Sequence, residues 1–196
     1  MVIGAVLAGG ISKRFGEDKL TYRVGGKPLI LYTIEALESA SKIEKIVVIA
    51  SPFNWQKFRE LGLEVIVDAL MVGPLGGIYL ALSLGDSFVV GGDMPLLVPE
   101  FIDYLVAKFE EAKKLACVPR WPNGYLEPLH AVYSRSLREI IEGYIERGEY
   151  KVGNVIESSN PCYIPVESLP ERWKWAFFNI NKKEDLRKLK TFIKEF

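Results

Sequence analysis

Histidine is almost missing from this chain of 196 residues, which has only His130, and cysteine is nearly as scarce, with Cys117 and Cys162. A lone histidine rules out a His-rich metal centre. The two cysteines lie far apart in the sequence and fit no metal-binding spacing. Buried free thiols in a cytosolic protein are the expectation. Excess charge is missing too: 25 Lys and Arg balance 25 Asp and Glu. That argues against a broad nucleic-acid surface and leaves room for a local basic pocket. No apolar run approaches the length of a membrane span. The run Val2 to Leu7 is far too short and has no basic segment before it, so the reading is a cytoplasmic protein with no membrane partner. Internal repeats, low-complexity segments and linkers are absent as well.

What is present suits one sizeable core. Apolar residues make up 49% of the chain and charged residues 26%, the balance of a soluble globular domain. Short apolar runs alternate with segments of helical periodicity, which predicts an α/β fold with a mainly parallel sheet. Strands are expected at 2–7, 46–50, 64–67, 88–90, 115–118, 131–133 and 162–166, with a short extended piece at 21–24. Helices are expected from Pro28 to Ala40, Asn54 to Leu61, Gly73 to Leu84, Pro99 to Lys113, Ser134 to Arg147 and Lys151 to Glu157. A last helix starts near Asn181, read as an N-cap with Glu184 three residues on. The Pro- and Trp-containing stretch 120–129 reads as a loop over the site.

The organising stretch is Leu7-Ala8-Gly9-Gly10-Ile11-Ser12-Lys13-Arg14-Phe15-Gly16-Glu17-Asp18-Lys19. It follows the first predicted strand. Adjacent glycines permit a sharp turn that leaves successive N–H groups uncovered, the makings of an anion-binding nest. Ser12 adds a hydroxyl donor, and Arg14 and Lys19 add positive charge. The set suits a nucleoside triphosphate. It is not a Walker A loop, which ends in Gly-Lys-Ser/Thr, and it lacks the third glycine of the dinucleotide fingerprint. A second candidate is Asp93, in Gly91-Gly92-Asp93-Met94-Pro95 just past a predicted strand. In open α/β sheets ligands bind beyond the strands' C-terminal ends, and a carboxylate there can hold Mg²⁺. A third is Asp68, shortly before the Gly73-Pro74-Leu75-Gly76-Gly77 helix entry.

Taken together these segments resemble the signature of the molybdenum cofactor guanylyltransferase family. Leu-Ala-Gly-Gly-x-Ser-x-Arg-x-Gly-x-Asp-Lys is similar to its glycine loop, with Phe15 where the family usually has Met. Asp68 with Gly73-Pro74-Leu75-Gly76-Gly77-Ile78 resembles its Asp and Gly-Pro-Leu-x-Gly-Ile segment. Asp93-Met94-Pro95 resembles the Asp-x-Pro by which it holds Mg²⁺. Asn179-Ile180-Asn181 before Glu184-Asp185-Leu186 is similar to its Asn-x-Asn-Thr-Pro-Glu-Asp-Leu, with Lys182-Lys183 in place of Thr-Pro.

The resemblance implies a three-layer, Rossmann-like nucleotidyltransferase fold in a single domain. The nucleotide would lie over residues 1–98 and the acceptor over 99–196. It implies transfer of GMP from GTP to molybdopterin, with Mg²⁺ as cofactor. Arg14, Lys19 and Asp93 would be catalytic, and Asp93 the metal ligand. Leu7, Ala8, Gly9, Gly10, Ser12, Asp68 and Gly73 would join them in binding the nucleotide. Asn179, Asn181 and His130 would face the acceptor, although a lone histidine is more often structural. Arg120, Trp121 and Tyr125 suit either an acceptor's phosphate and flat ring or an aromatic loop packed on the core. Gly9 resembles the guanylyl enzymes, whereas related cytidylyltransferases usually carry Ala there. Proteins that supply molybdopterin or mature molybdoenzymes are the partners this implies. A cytidylyl reaction, another phosphorylated acceptor, and a non-catalytic nucleotide-binding domain remain open alternatives.

Overall fold

The computed structural model describes residues 2–10, 15 and 18–195. The chain opens with β1 (Val2–Leu7), then a small hairpin of β2 (Arg23–Val24) and β3 (Lys27–Pro28), turned by Gly25 and Gly26 at φ 57° and 90°. Pro28 stands just ahead of α1 (Leu29–Ser39), one residue earlier than its expected place in the first turn. There follow β4 (Ile43–Ala50), α2 (Trp55–Glu60), β5 (Val65–Val67), α3 (Pro74–Ala81) and β6 (Asp86–Gly91). The second part holds α4 (Pro99–Ala112), β7 (Ala116–Arg120), β8 (His130–Tyr133), α5 (Arg138–Glu146), α6 (Val152–Ser158) and β9 (Cys162–Pro165). It closes with α7 (Glu171–Lys174) and α8 (Asp185–Glu195).

Seven strands form one sheet in the order β5-β4-β1-β6-β8-β7-β9. β1 pairs in parallel with β4 on one side and β6 on the other, so Leu7 stands beside both Ile49 and Gly91. The chain first winds outward from β1 to β5, then returns to lay β6 on β1's other side. That reversal opens a crevice at the C-terminal ends of β1 and β6. β8 alone runs antiparallel to both of its neighbours, β6 and β7.

Strand alternation sorts the core onto two faces. Val2, Val6, Val48, Phe88 and Val90 point to one side, under α1, α2 and α4. Ile3, Ala5, Val47, Ile49 and Val89 point to the other, under α3, α5 and α6. Three layers result. A third cluster joins Phe15, Val24 and Leu29 to Ile180, Leu186 and Leu189, packing α8 against the hairpin and α1.

Several details differ from the sequence reading. β4 begins at Ile43 and β7 reaches Arg120, because their partly exposed ends still find ladder partners. The helix expected from Ser134 opens with a 3₁₀ turn at Arg135–Leu137, and Ser134 caps it by accepting from the Ser136 N–H at 3.3 Å. The stretch 171–177 is helical, which the periodicity did not indicate. The last helix starts at Asp185 rather than near Asn181. Its carboxylate accepts from the N–H groups of Asn181 and Lys182, at 2.9 and 3.0 Å. The expected cap is therefore reversed: a carboxylate from inside the helix secures the backbone before it.

Candidate functional site

The crevice at the C-terminal ends of β1, β4 and β6 is a cavity of about 390 Å³. That size lies in the small-ligand range. Leu7, Ala8, Gly9, Gly10, Lys19, Asp68, Gly73 and Asp93, all expected from the sequence, line it together. Ser12 and Arg14 lie outside the described residues.

The floor is built by backbone. Ala8 donates to the Ile49 carbonyl at 2.8 Å, which carries the β1 ladder one residue past the strand. Asn54 donates from Nδ2 to the Ala8 carbonyl at 2.8 Å. Its own Oδ1 accepts from the Ser51 N–H at 3.0 Å and the Ser51 hydroxyl at 2.8 Å. The start of the glycine loop is thus tied to the end of β4. Sequence reading missed Asn54 and Ser51. The available signal was an Asn just after a buried strand, a residue type that bonds local backbone.

Asp68 follows β5 and is nearly buried. Its Oδ1 accepts from the N–H groups of Leu70 and Met71, at 3.0 and 3.2 Å. These bonds turn the chain toward Gly73, whose φ of 72° favours glycine and which leads into α3. A side chain at Gly77 would come within 2.8 Å of Leu7, so α3 lies close enough to press Leu7 against the cavity. The exposed ring of Phe53 and the side chain of Met71 form the rim.

Asp93 stands in a turn held on every side. Gly92 donates to the Leu7 carbonyl at 3.0 Å, and Met94 donates to the Gly91 carbonyl at 3.3 Å. The buried hydroxyl of Thr33 on α1 donates to the Met94 carbonyl at 3.1 Å and reaches the Gly92 carbonyl at 3.4 Å. Ile180 donates to the carbonyl of Asp93 at 2.9 Å, bringing the Asn179-Ile180-Asn181 segment to the same turn. The Asp93 Oδ2 meets the Lys19 ammonium at 2.7 Å. Lys19 is aimed by its neighbour Asp18, which accepts from the Leu20 N–H at 3.2 Å and pairs with Lys57 at 3.0 Å.

The Lys19 ammonium rests on the Asp93 carboxylate, which faces the cavity. One carboxylate completed by substrate oxygens and water is the donor set that Mg²⁺ accepts. Among the described residues no cluster of three or more His, Cys, Asp or Glu could hold a metal unaided.

The acceptor-side expectations divide. Asn179 donates from Nδ2 to the Phe177 carbonyl at 3.1 Å, and Asn181 supplies its N–H to Asp185. Neither lines the cavity. His130 is a correction. It is fully buried, stacked on Phe101 at 4.9 Å and met edge-on by Phe88 and Phe177, both at 5.2 Å. Neither ring nitrogen has a hydrogen-bond partner. Burial alone drives its pKa down to about 3, so it stays neutral in the core, and it lines no part of the cavity. In the 120–129 loop, Trp121 donates from Nε1 to Glu127 at 2.7 Å. Burial raises the Glu127 carboxyl above its ordinary range, against the lowering effect of that indole N–H. Arg120 lies over the Tyr163 ring at 4.9 Å, and Tyr125 is exposed.

Known proteins agree with this geometry. The MobA-like NTP transferase domain matches residues 4–162. A probable molybdenum cofactor guanylyltransferase of Thermococcus gammatolerans is 61% identical over 188 residues, covering 96% of this chain and 98% of that protein. The crystal structure of molybdopterin-guanine dinucleotide biosynthesis protein A from Archaeoglobus fulgidus superposes with a TM-score of 0.86 at 31% identity, covering both chains fully. A 4-diphosphocytidyl-2C-methyl-D-erythritol synthase from Anaerococcus prevotii, at 13% identity and a TM-score of 0.69, shares the fold over 98% of this chain and 96% of its own. With the three-layer sheet and the β1–β6 crevice, these matches place the chain in the MobA-like nucleotidyltransferase family.

Proposed function

We propose that the chain transfers GMP from GTP to the phosphate of metal-loaded molybdopterin and releases pyrophosphate. The observation that carries this reading is the meeting of Lys19 and Asp93 at 2.7 Å across the cavity beyond β1 and β6. It sets one cation and one carboxylate where a triphosphate laid on the glycine loop would react. The names of the relatives supply the substrates.

In this reading a terminal phosphate oxygen of molybdopterin attacks the α-phosphorus of GTP in line. The bond from that phosphorus to the bridging oxygen breaks, and pyrophosphate leaves with the electron pair. The attacking oxygen is ionised at neutral pH, so the protein needs no nucleophile of its own. Its work is positioning and charge neutralisation. The backbone of Ala8 to Gly10 and the Ser12 hydroxyl hold the phosphates and the base edge. Asp68 and Gly73 shape the nucleotide wall. Lys19 and Arg14 neutralise the charge that grows on pyrophosphate. Asp93 is the carboxylate that would hold Mg²⁺, which supplies further charge neutralisation among the phosphates. The acceptor lies over residues 99–196 near Asn179 and Asn181, within one domain and in the cytoplasm, where molybdopterin-supplying proteins can reach it.

The test is pyrophosphate release by the purified protein with Mg²⁺ and metal-loaded molybdopterin, comparing GTP, CTP and ATP. Release with GTP alone is expected. Release with CTP overturns the base assignment. Silence with all three in folded protein overturns the transfer itself. Asp93→Ala should abolish turnover in a folded protein. Lys19→Ala should lower the rate roughly a hundredfold or more, the scale of a lost transition-state donor.

A further inference from the structure

Cys117 and Cys162 are the chain's two thiols, and the reaction uses neither. They are distant in sequence, yet the fold sets them in direct register on neighbouring parallel strands, β7 and β9. Both belong to the same face of the sheet. Cys117 is fully buried in the core under α4, and Cys162 packs against that core while remaining partly open to solvent. Burial, with the neighbouring Cys162 thiol next, raises the Cys117 thiol well above its ordinary pKa, and Lys108 on α4 pulls in the opposite direction.

We propose that Cys117 and Cys162 form a reversible redox site, closed to a cross-strand disulfide by exchange with a small-molecule disulfide. Strands in one sheet stand about 4.8 Å apart, inside the Cα separation of roughly 4.4–6.8 Å that a disulfide spans. Side chains in register leave the sheet side by side. Their Cβ atoms therefore start slightly wider than the roughly 3.5–4.5 Å of a relaxed disulfide. β9 can supply the difference, since it is a four-residue edge strand with β7 as its one neighbour in the sheet. The bond so formed keeps some strain, and strained disulfides are readily reduced again.

The chemistry balances with one molecule of oxidant. The partly exposed Cys162 thiolate attacks one sulfur of the small disulfide, forming a mixed disulfide and expelling one thiolate. Cys117 then gives up its proton and attacks the Cys162 sulfur, expelling the second. Two protein thiols are oxidised, one small disulfide is reduced to two thiols, and the two protein protons end on those leaving groups. Closure pins the outer strand of the sheet to β7 and ties the segment between them into a loop.

The experiment treats the intact native protein with oxidised glutathione. The sample is then denatured, labelled with an alkylating reagent and weighed by mass spectrometry. The expected product has lost two hydrogen atoms, takes no label, and gives a digest in which the Cys117 and Cys162 peptides are joined. Reduced glutathione in excess restores two labelled cysteines. Cys117→Ser should stop at a glutathione adduct on Cys162, and Cys162→Ser should keep Cys117 unmodified. Circular dichroism verifies that both variants are folded. Native wild-type protein that keeps two labelled thiols, or that stops as a glutathione adduct, overturns the proposal.

Discussion

Replacing His130 with Phe should remove an acid sensitivity that the fold builds in. The imidazole is fully buried among Phe88, Phe101 and Phe177, its nitrogens have no partner, and its pKa is lowered from 6.5 to about 3. The unfolded chain binds a proton near pH 6.5 and the folded chain does not until about pH 3. Below pH 6.5 the unfolded state therefore holds more protons, and stability falls as pH falls through that window. Above it both states are neutral and the effect vanishes. Each pH unit in the window is worth about 1.4 kcal/mol. At pH 5 wild-type protein should have lost about 2 kcal/mol through this residue alone. His130→Phe places a ring among rings and carries no titrating group. Urea unfolding of both proteins at pH 7 and pH 5 isolates the difference. The wild type should lose about 2 kcal/mol more than the variant on acidification. Equal losses in the two proteins would refute a neutral, desolvated His130. Pyrophosphate release by the variant at pH 7 should match wild type, since the ring is buried and lines no part of the cavity.

Two further substitutions test the packing around the cavity. A methyl group at Gly91 would stand 2.7 Å from the Asp93 Oδ1. Gly91→Ala should therefore turn the carboxylate and lower the rate by roughly a hundredfold, the effect of a misplacement of about 1 Å, with thermal unfolding verifying the fold. At Gly77 the added carbon meets Leu7 at 2.8 Å. Gly77→Ala should push Leu7 into the cavity and raise the KM for GTP several-fold while kcat changes less, as steady-state kinetics would show.

Much of this arrangement is legible in the sequence. The apolar runs located β1, β6 and the parallel half of the sheet, because strands buried on both faces read as continuous hydrophobic stretches. Glycines and aspartates just past those strands marked the cavity, because only loops at the strand ends can converge there. The direction of β8 was not legible. Ala131-Val132-Tyr133 has the same apolar character whichever way it runs, and the antiparallel pairing is decided by packing between β6 and β7. Thr33 and Asn54 were missed for a related reason. Each acts on backbone that is distant in sequence, the Asp93 turn and the Ala8 carbonyl. His130 misled because chemistry-bearing residue types draw attention, while burial is a property of the whole fold. Asp185 displaced Asn181 as the capping group because either residue type can accept from a helix start, and only geometry decides between them.

The reversed course of β8 reaches beyond topology. In a wholly parallel sheet, the segment leading into a strand lies at the edge opposite the ligand. Here the segment leading into β8 opens on the ligand's edge, and Leu129 at its end lines the cavity. Residues 121–129 can therefore lengthen, shorten or change composition without altering the parallel ladders of β1, β4 and β6. Descent with modification could remodel one wall of the reaction chamber and leave the opposite wall intact. The wall at Leu129 is thus free to vary while the strands beneath the opposite wall stay fixed.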